Sequence, residues 1–416
     1  MAVFFALQYL PLSTIELEDL SSGVSADERL LSFETLSSSI KDGDPKRQIA
    51  LGLFGLFGFV SLFGKHASPL RINGVLGWLV LFYLAWSFVS ILWASDPALT
   101  FRRLVILVLS CLGVLAVVRR FRFEDLIRFT FLSTSIYLLI GLAVEITYGR
   151  FHPFSATYRF AGTFHPNYQG LNCTLLLLAA IFLAKTVKRG ALFYHATALT
   201  GFIFLVFTKS RTSLGCAICA LLLYWFLTLS ASRKLLMAFG AGWCVSLILL
   251  LYSDVILLHN WEILSFGREG ADIKTFTGRI PLWEECLKHF IEQPLLGYGY
   301  QGFWTPKHVD AISYRIGWPP YASHSVYIDL LLGLGIIGML AYVMIYCFAL
   351  VRAHRCFRGS SYAGYAFIAA MLVFCLLNGF LETTLLNPNQ LTFLSMAALA
   401  LLAFSTPVAG RMRMQD

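Results

Sequence analysis

Residues 293–304 read QPLLGYGYQGFW, and within them Gly297, Gly299 and Gly302 satisfy the pattern G-x-G-x-x-G. As a dinucleotide fingerprint, that pattern needs a preceding strand, a following helix and an acidic residue about twenty positions on. Here the glycines follow Pro294 and a segment of helical periodicity. Ile280, Trp283, Leu287 and Phe290 fall on one face, which predicts an amphipathic helix over 280–291. The match to a nucleotide-binding turn is therefore accidental. What remains is a glycine-hinged loop carrying Tyr298, Tyr300, Phe303 and Trp304, whose rings are candidates for stacking on sugar or for the lipid interface.

Composition places that loop. Of 416 residues, 58% are hydrophobic, 15% aromatic and 13% charged, and the mean hydropathy is +0.71. A soluble domain carries about 25% charged residues, so this much apolar surface has no water-soluble core to hide in. Apolar runs lie at about 48–64, 72–94, 102–118, 129–148, 166–184, 191–208, 212–230, 235–253, 323–350, 362–380 and 389–407. The chain reads as an all-α, polytopic helical membrane protein of about eleven spans, and residues 1–13 offer a half-inserted twelfth. Its organisation is an acidic N-terminal lead (1–47), eight spans (48–253), one long hydrophilic loop (254–322), then three spans and a short tail (323–416). The opening MAVFFALQYLPLS lacks the basic flank and small-residue cleavage site of a signal peptide.

The net charge of +9 raises nucleic acid as a partner, but the basic residues sit in short clusters between apolar runs, and no aromatic-basic single-strand-binding stretch is present. No nucleic acid is expected. The CAIC at 216–219 lies inside an apolar helix without thioredoxin-like context, so its cysteines read as small buried fillers.

Those basic clusters set the orientation. One set of connections holds Lys65 and Arg71; Arg119, Arg120, Arg122 and Arg128; Lys185, Lys188 and Arg189; Arg233 and Lys234; Arg352, Arg355 and Arg358; and Arg411 and Arg413. The opposite short connections hold only Arg102, Arg103, Arg150, Arg159, Lys209 and Arg211. By the positive-inside rule the first set is cytoplasmic. Outward then face 148–167, the hairpin at 208–211, the loop 254–322 and ETTLLNPN at 382–389.

Four outward features concentrate the unusual chemistry. AGTFHPNYQG (161–170) brings His165, Asn167 and Gln169 to the mouth of a span, with Pro166 in its first turn. Helix capping explains these residues, and site residues can also cap. FTKSRTSLG (207–215) holds Lys209 and Arg211 at the membrane surface. Arg211 is either a snorkelling anchor or a rigid fork suited to phosphate oxygens. In TGRIPLWEECLKHFIEQPLLGYGY (277–300), Arg279 stands at a helix start that already favours anions, with Glu284 or Glu285 as ordinary surface partners. YASHSVYIDLLLG (321–333) places His324 at a span boundary, where it is either structural or a proton acceptor for a hydroxyl. Asp329 and Glu145 are acids inside or at the ends of spans, where charge is costly and faces a polar partner. Two arginines, a histidine and polar caps on one face describe a cavity for a diphosphate and a hydroxyl acceptor.

Taken in order, these segments resemble the O-antigen ligase and polymerase family of bacterial membrane glycosyltransferases. The resemblance rests on His165-Pro166-Asn167, on Ser210-Arg211, on Gly278-Arg279 with Trp283 and Pro294-Leu295-Leu296-Gly297-Tyr298-Gly299, and on His324-Ser325 with Tyr327. It covers about 160–340. Ser325 departs from it, since many relatives carry Asn there, and so does the acidic lead. The resemblance implies a GT-C-like, metal-independent, inverting transferase in the bacterial inner membrane, its active site facing the periplasm. The donor would be an undecaprenyl-diphosphate-linked glycan and the acceptor a hydroxyl of a glycolipid (lipid A–core) or of another glycan. No cofactor is implied. By the same resemblance Arg211, Arg279 and His324 are catalytic, while His165, Asn167, Lys209, Trp283, Tyr298, Tyr300 and Tyr327 are expected to bind substrate. Ligase is the first reading and polymerase the second, with protein O-glycosylation a third acceptor option. A transporter would predict inverted repeats and broken helices near mid-membrane; no repeat is seen, and the polar groups gather at one face.

Overall fold

The computed structural model describes residues 45–63, 69–155, 158–187, 190–234 and 279–404. The expected eighth span (235–253), the loop up to 278, the lead before 45 and the tail after 404 lie outside the described residues. Among those described the chain is helical, without strands. Its helices are α1 Pro45–Leu62, α2 Gly74–Val89 continued by a 3₁₀ turn Ser90–Trp93, α3 Pro97–Arg120, α4 Phe123–Thr147, α5 Pro166–Thr186, α6 Ala191–Phe207, α7 Arg211–Thr228, α8 Arg279–Glu292, α9 Pro306–Ile316, α10 Val326–Ser360, α11 Ala363–Asn378 and α12 Gln390–Phe404.

Six of the described helices, counting α2 with its 3₁₀ turn, are long and apolar enough to cross a membrane: α2, α3, α4, α5, α7 and α10. The other apolar runs among the described residues form shorter helices, down to 15 residues in α12. At about 1.5 Å per residue such a helix falls short of the roughly 30 Å hydrocarbon layer. Two of these, α11 and α12, bury most of their residues inside the bundle instead. The chain is thus a multi-pass membrane protein, with α5 at its centre. Beyond its polar first turns that helix is apolar on every side, and it is buried over most of its length, as a helix surrounded by protein must be. By contrast α2 leaves Trp78, Phe82 and Phe88 on the outside, where lipid replaces a core.

Local sequence fixes the helix starts. Pro97 and Pro166 occupy first-turn positions, where the missing N–H costs nothing. Asp96 accepts from the Leu99 N–H at 2.9 Å and caps α3. His165 Nδ1 accepts from the Asn167 N–H at 3.3 Å and caps α5. Because α5 and α7 start at the same end of the bundle, their first turns meet; a Cβ on Gly170 would lie 2.9 Å from the Ser210 Cβ.

The glycine loop has a structural role that its sequence did not reveal. Helix α10 is broken at Gly335, whose φ of +65° and ψ of −171° leave the helical region. Into that break the 293–302 loop docks. The Tyr298 N–H donates to the Leu332 carbonyl at 2.7 Å, and the Ile336 N–H donates to the Pro294 carbonyl at 2.9 Å. The indoles of Trp86 and Trp93 donate to the Leu334 and Leu296 carbonyls at 3.1 and 3.0 Å. Irregular backbone survives at membrane depth only where protein satisfies it, and here loop and broken helix satisfy each other.

A Cβ on Gly335 would stand 2.1 Å from the Leu295 carbonyl oxygen. Gly335→Ala is therefore expected to lose about 2–4 kcal/mol, combining a left-handed backbone with an overlap against main chain that cannot give way. Thermal unfolding in detergent checks this: a melting temperature equal to wild type would mean that loop and break are not packed as described.

Candidate functional site

The starts of α5, α7, α8 and α10 and the connection between α11 and α12 gather at one end of the bundle. Arg279 is the first residue of α8. It has not paired with Glu284 or Glu285; its Nη2 donates to Glu382 Oε1 at 3.0 Å and its Nη1 to the Leu381 carbonyl. The Asn167 Nδ2 donates to the same Glu382 oxygen at 2.9 Å. The Arg159 Nη2 in turn donates to Asn167 Oδ1 at 3.1 Å, while its Nε donates to the Thr208 carbonyl, also at 3.1 Å. A continuous polar chain, Arg159–Asn167–Glu382–Arg279, thereby joins four parts of the sequence. Glu285 has other partners: Lys288 at 2.6 Å and Arg315. They hold its carboxyl below the usual range, with the Lys288 hydrogen bond the largest cause.

His324 occupies a left-handed backbone position, φ +57°, which is uncommon for a residue with a side chain and carries strain. Its neighbours over-determine it. The Trp283 indole donates to the Ser323 carbonyl at 2.8 Å. Asp329 Oδ1 accepts from the Ser323 N–H at 3.1 Å and from the Trp304 indole at 2.9 Å. Ser323 Oγ donates to the Ser325 carbonyl at 2.8 Å and accepts the Ser325 N–H at 3.1 Å. The rings of Tyr321 and Trp318 lie 5.5 and 6.4 Å from the imidazole. Burial pushes the His324 pKa down to about 4, and positive charge at Arg279 and His165 pushes the same way. The imidazole is neutral at pH 7 and able to accept a proton.

Lys209 and Arg211 flank the Ser210 that caps α7; Lys209 is also left-handed, φ +49°, and Arg211 is half-buried at the first helical position. This hairpin reaches the polar chain through the Arg159–Thr208 contact and through the Ser210–Gly170 approach. The structure therefore brings Arg279, His324, His165 and Asn167 together, with Lys209 and Arg211 on the adjoining helix start.

The expected aromatic platform is not at this mouth. Tyr298 is 4% exposed, packs on Phe303, and donates its hydroxyl to the His289 carbonyl and Glu292. Tyr300 is buried too and receives the Gln301 side-chain amide at 3.2 Å. Tyr327 donates its hydroxyl to the Leu376 carbonyl at 2.7 Å. Tyr298 and Tyr300 hold the loop in place, and stacking on sugar would require them to leave a packed core; Tyr327 is half-buried and ties the start of α10 to α11. Trp283 is half-buried and supports the His324 backbone.

Glu145 is likewise structural, its Oε1 accepting from the N–H groups of Ala161 and Gly162 at 2.8 and 2.7 Å. Sequence reasoning passed over Glu382 and counted Arg159 only as a loop charge. The available signal was an acid just after an apolar run, in the outward stretch ETTLLNPN.

With this geometry in view, the chain can be compared with known proteins. Residues 196–343 match the model of a family described as O-antigen ligase. The exopolysaccharide production protein ExoQ of Rhizobium meliloti (strain 1021) is 26% identical over 313 residues, 70% of this chain and 66% of that protein. The match thus spans just under two thirds of that relative's length. Both findings support a likeness to the O-antigen ligase and polymerase family. Arg211, Arg279 and His324 fall inside the matched segment, while Arg159, Asn167 and Glu382 fall outside it.

Proposed function

We propose that this chain, matched to the O-antigen ligase and polymerase family, is an inverting glycosyltransferase of the inner membrane, working at the periplasmic face. It moves a glycan from undecaprenyl diphosphate to an acceptor hydroxyl. The acceptor oxygen attacks the anomeric carbon from the face opposite the diphosphate, the C1–O bond breaks, and its electron pair leaves with the diphosphate. Arg211 and Arg279 hold that growing negative charge in place, and His324 accepts or orients the hydroxyl proton. The observation that carries this reading is the convergence of the cationic Arg279 with the neutral His324 at one rim. His165 and Asn167, with Lys209 on the hairpin, complete the polar lining.

In this reading two guanidinium groups, Arg279 and Arg211, supply the charge that a divalent cation would otherwise bring. Transfer by purified protein is expected to proceed at the same rate in EDTA as in Mg²⁺. A tenfold drop in EDTA, restored by metal, would contradict the metal-independent step.

The acceptor divides two readings. As a ligase the protein would act on lipid A–core; the relative's name, exopolysaccharide production, favours the second, in which the acceptor is another repeat unit. Glycolipid analysis of a null strain separates them. Accumulated lipid-linked polymer marks a ligase, and accumulated single lipid-linked units mark a polymerase.

A further inference from the structure

The connection between α11 and α12 lies beyond the matched segment and carries none of the residues assigned to transfer above. Yet the polar chain converges there. Leu381 and Glu382, consecutive in sequence, take the two terminal nitrogens of the Arg279 guanidinium. Guanidinium has five N–H donors in a rigid plane, so two are used for anchoring and three remain for an anion. Glu382 is only 8% exposed, and its oxygen is tied from the other side by Asn167, itself held by Arg159. A buried carboxylate gains little for stability over a neutral packed residue. A negative charge beside an anion site also opposes anion binding. A carboxylate in this place fits a geometric task better than either.

Resting on the transferase reading, we propose that Glu382 is a positioning residue: it fixes the Arg279 fork so that its remaining N–H groups face the departing diphosphate. The carboxylate weakens donor binding somewhat and sharpens the alignment on which the bond-breaking step depends. Misplacement of a reacting group by about 1 Å can cost about 10²-fold in rate.

The test is a double-mutant cycle on full-length protein in detergent or nanodiscs, with an undecaprenyl-diphosphate-linked glycan as donor. Glu382→Gln is expected to lower kcat by about 10- to 100-fold, with the donor KM unchanged or lower. In an Arg279→Lys background, which lacks the fork, the same substitution is expected to change kcat by less than about twofold. A role confined to holding the fold would lower kcat by the same factor in both backgrounds and would lower the melting temperature; that outcome overturns the assignment. Should Glu382→Gln fail to fold, Glu382→Asp, which keeps the charge and shortens the reach, serves in the same cycle with the same expected pattern. Absence of transfer by the wild-type protein, or full transfer by Arg279→Ala, sinks the transferase reading and this assignment with it. Wild-type kcat in Glu382→Gln beside an inactive Arg279→Ala overturns this assignment alone.

Discussion

Arg279→Ala is expected to reduce transfer by at least about 10²–10³ in kcat, the usual cost of removing one fixed donor from a site of developing negative charge. The structure explains why the loss should fall on kcat. Arg279 begins a helix, where the backbone dipole adds to its charge, and its terminal nitrogens are held by the Leu381 carbonyl and Glu382. In the proposed mechanism, a preorganised cation would stabilise the departing diphosphate without reorganising at the moment of reaction. The substitution also strands Glu382. Removing one partner of a buried pair leaves an uncompensated charge, and burial already pushes the Glu382 carboxyl up, with Arg279 the main restraint. Stability must therefore be measured beside rate. Arg279→Lys keeps a charge near Glu382 and so separates the two effects: a stably folded lysine variant that remains strongly impaired shows that the fork matters. Wild-type turnover in a folded Arg279→Ala protein would remove this residue from the mechanism.

His324→Ala is expected to lower kcat by about 10²–10⁴, the range for a positioned proton acceptor. Its pH behaviour is more specific. With its pKa pushed down to about 4 by burial and by nearby positive charge, the free enzyme holds His324 neutral from pH 7 down to about 5. The profile of kcat/KM should then show no acid limb from this residue near the ordinary imidazole value of about 6.5. Activity dependent on neutral His324 is lost only as pH falls toward 4. A bound diphosphate brings negative charge, which favours the imidazolium, so the corresponding limb in kcat should lie at higher pH than in kcat/KM. This is the direction that lets a weak base in the empty site become a stronger one when the donor is present. An acid limb near 6.5 in kcat/KM, abolished by His324→Gln, would show the imidazole to be wetter and less hemmed in by cations than described here.

Much of the architecture was legible because its signals are local. Pro166 marks the helix start it occupies, and the periodicity of Ile280, Trp283, Leu287 and Phe290 gave α8 to within about a residue at each end. The shared face of the four motifs followed from counting basic residues in short connections. What escaped depends on contacts between distant residues. Glu382 binds partners 103 and 215 positions away, and no local pattern marks that. Gly335 sits in LGLGIIG, where it reads as an ordinary packing glycine until the 293–302 loop is seen docked against it. Tyr298 and Tyr300 belong to the same misreading. Aromatic rings in an outward loop suggest a sugar platform, but this loop folds inward and spends them on its own core. The short α9, absent from the expected pattern, supplies Arg315 to Glu285 and thus occupies an acid once open to Arg279.

The central claim is that this rim breaks the bond between a glycan and a polyprenyl diphosphate. Mass spectrometry and NMR of the products from reconstituted protein, with a labelled lipid-linked glycan and candidate acceptors, test it most directly. The account predicts a glycan joined to the acceptor with inverted anomeric configuration, one undecaprenyl diphosphate released per transfer, and neither product with Arg279→Ala. Movement of the intact lipid-linked glycan across the bilayer, with no cleavage by wild-type protein, would contradict it.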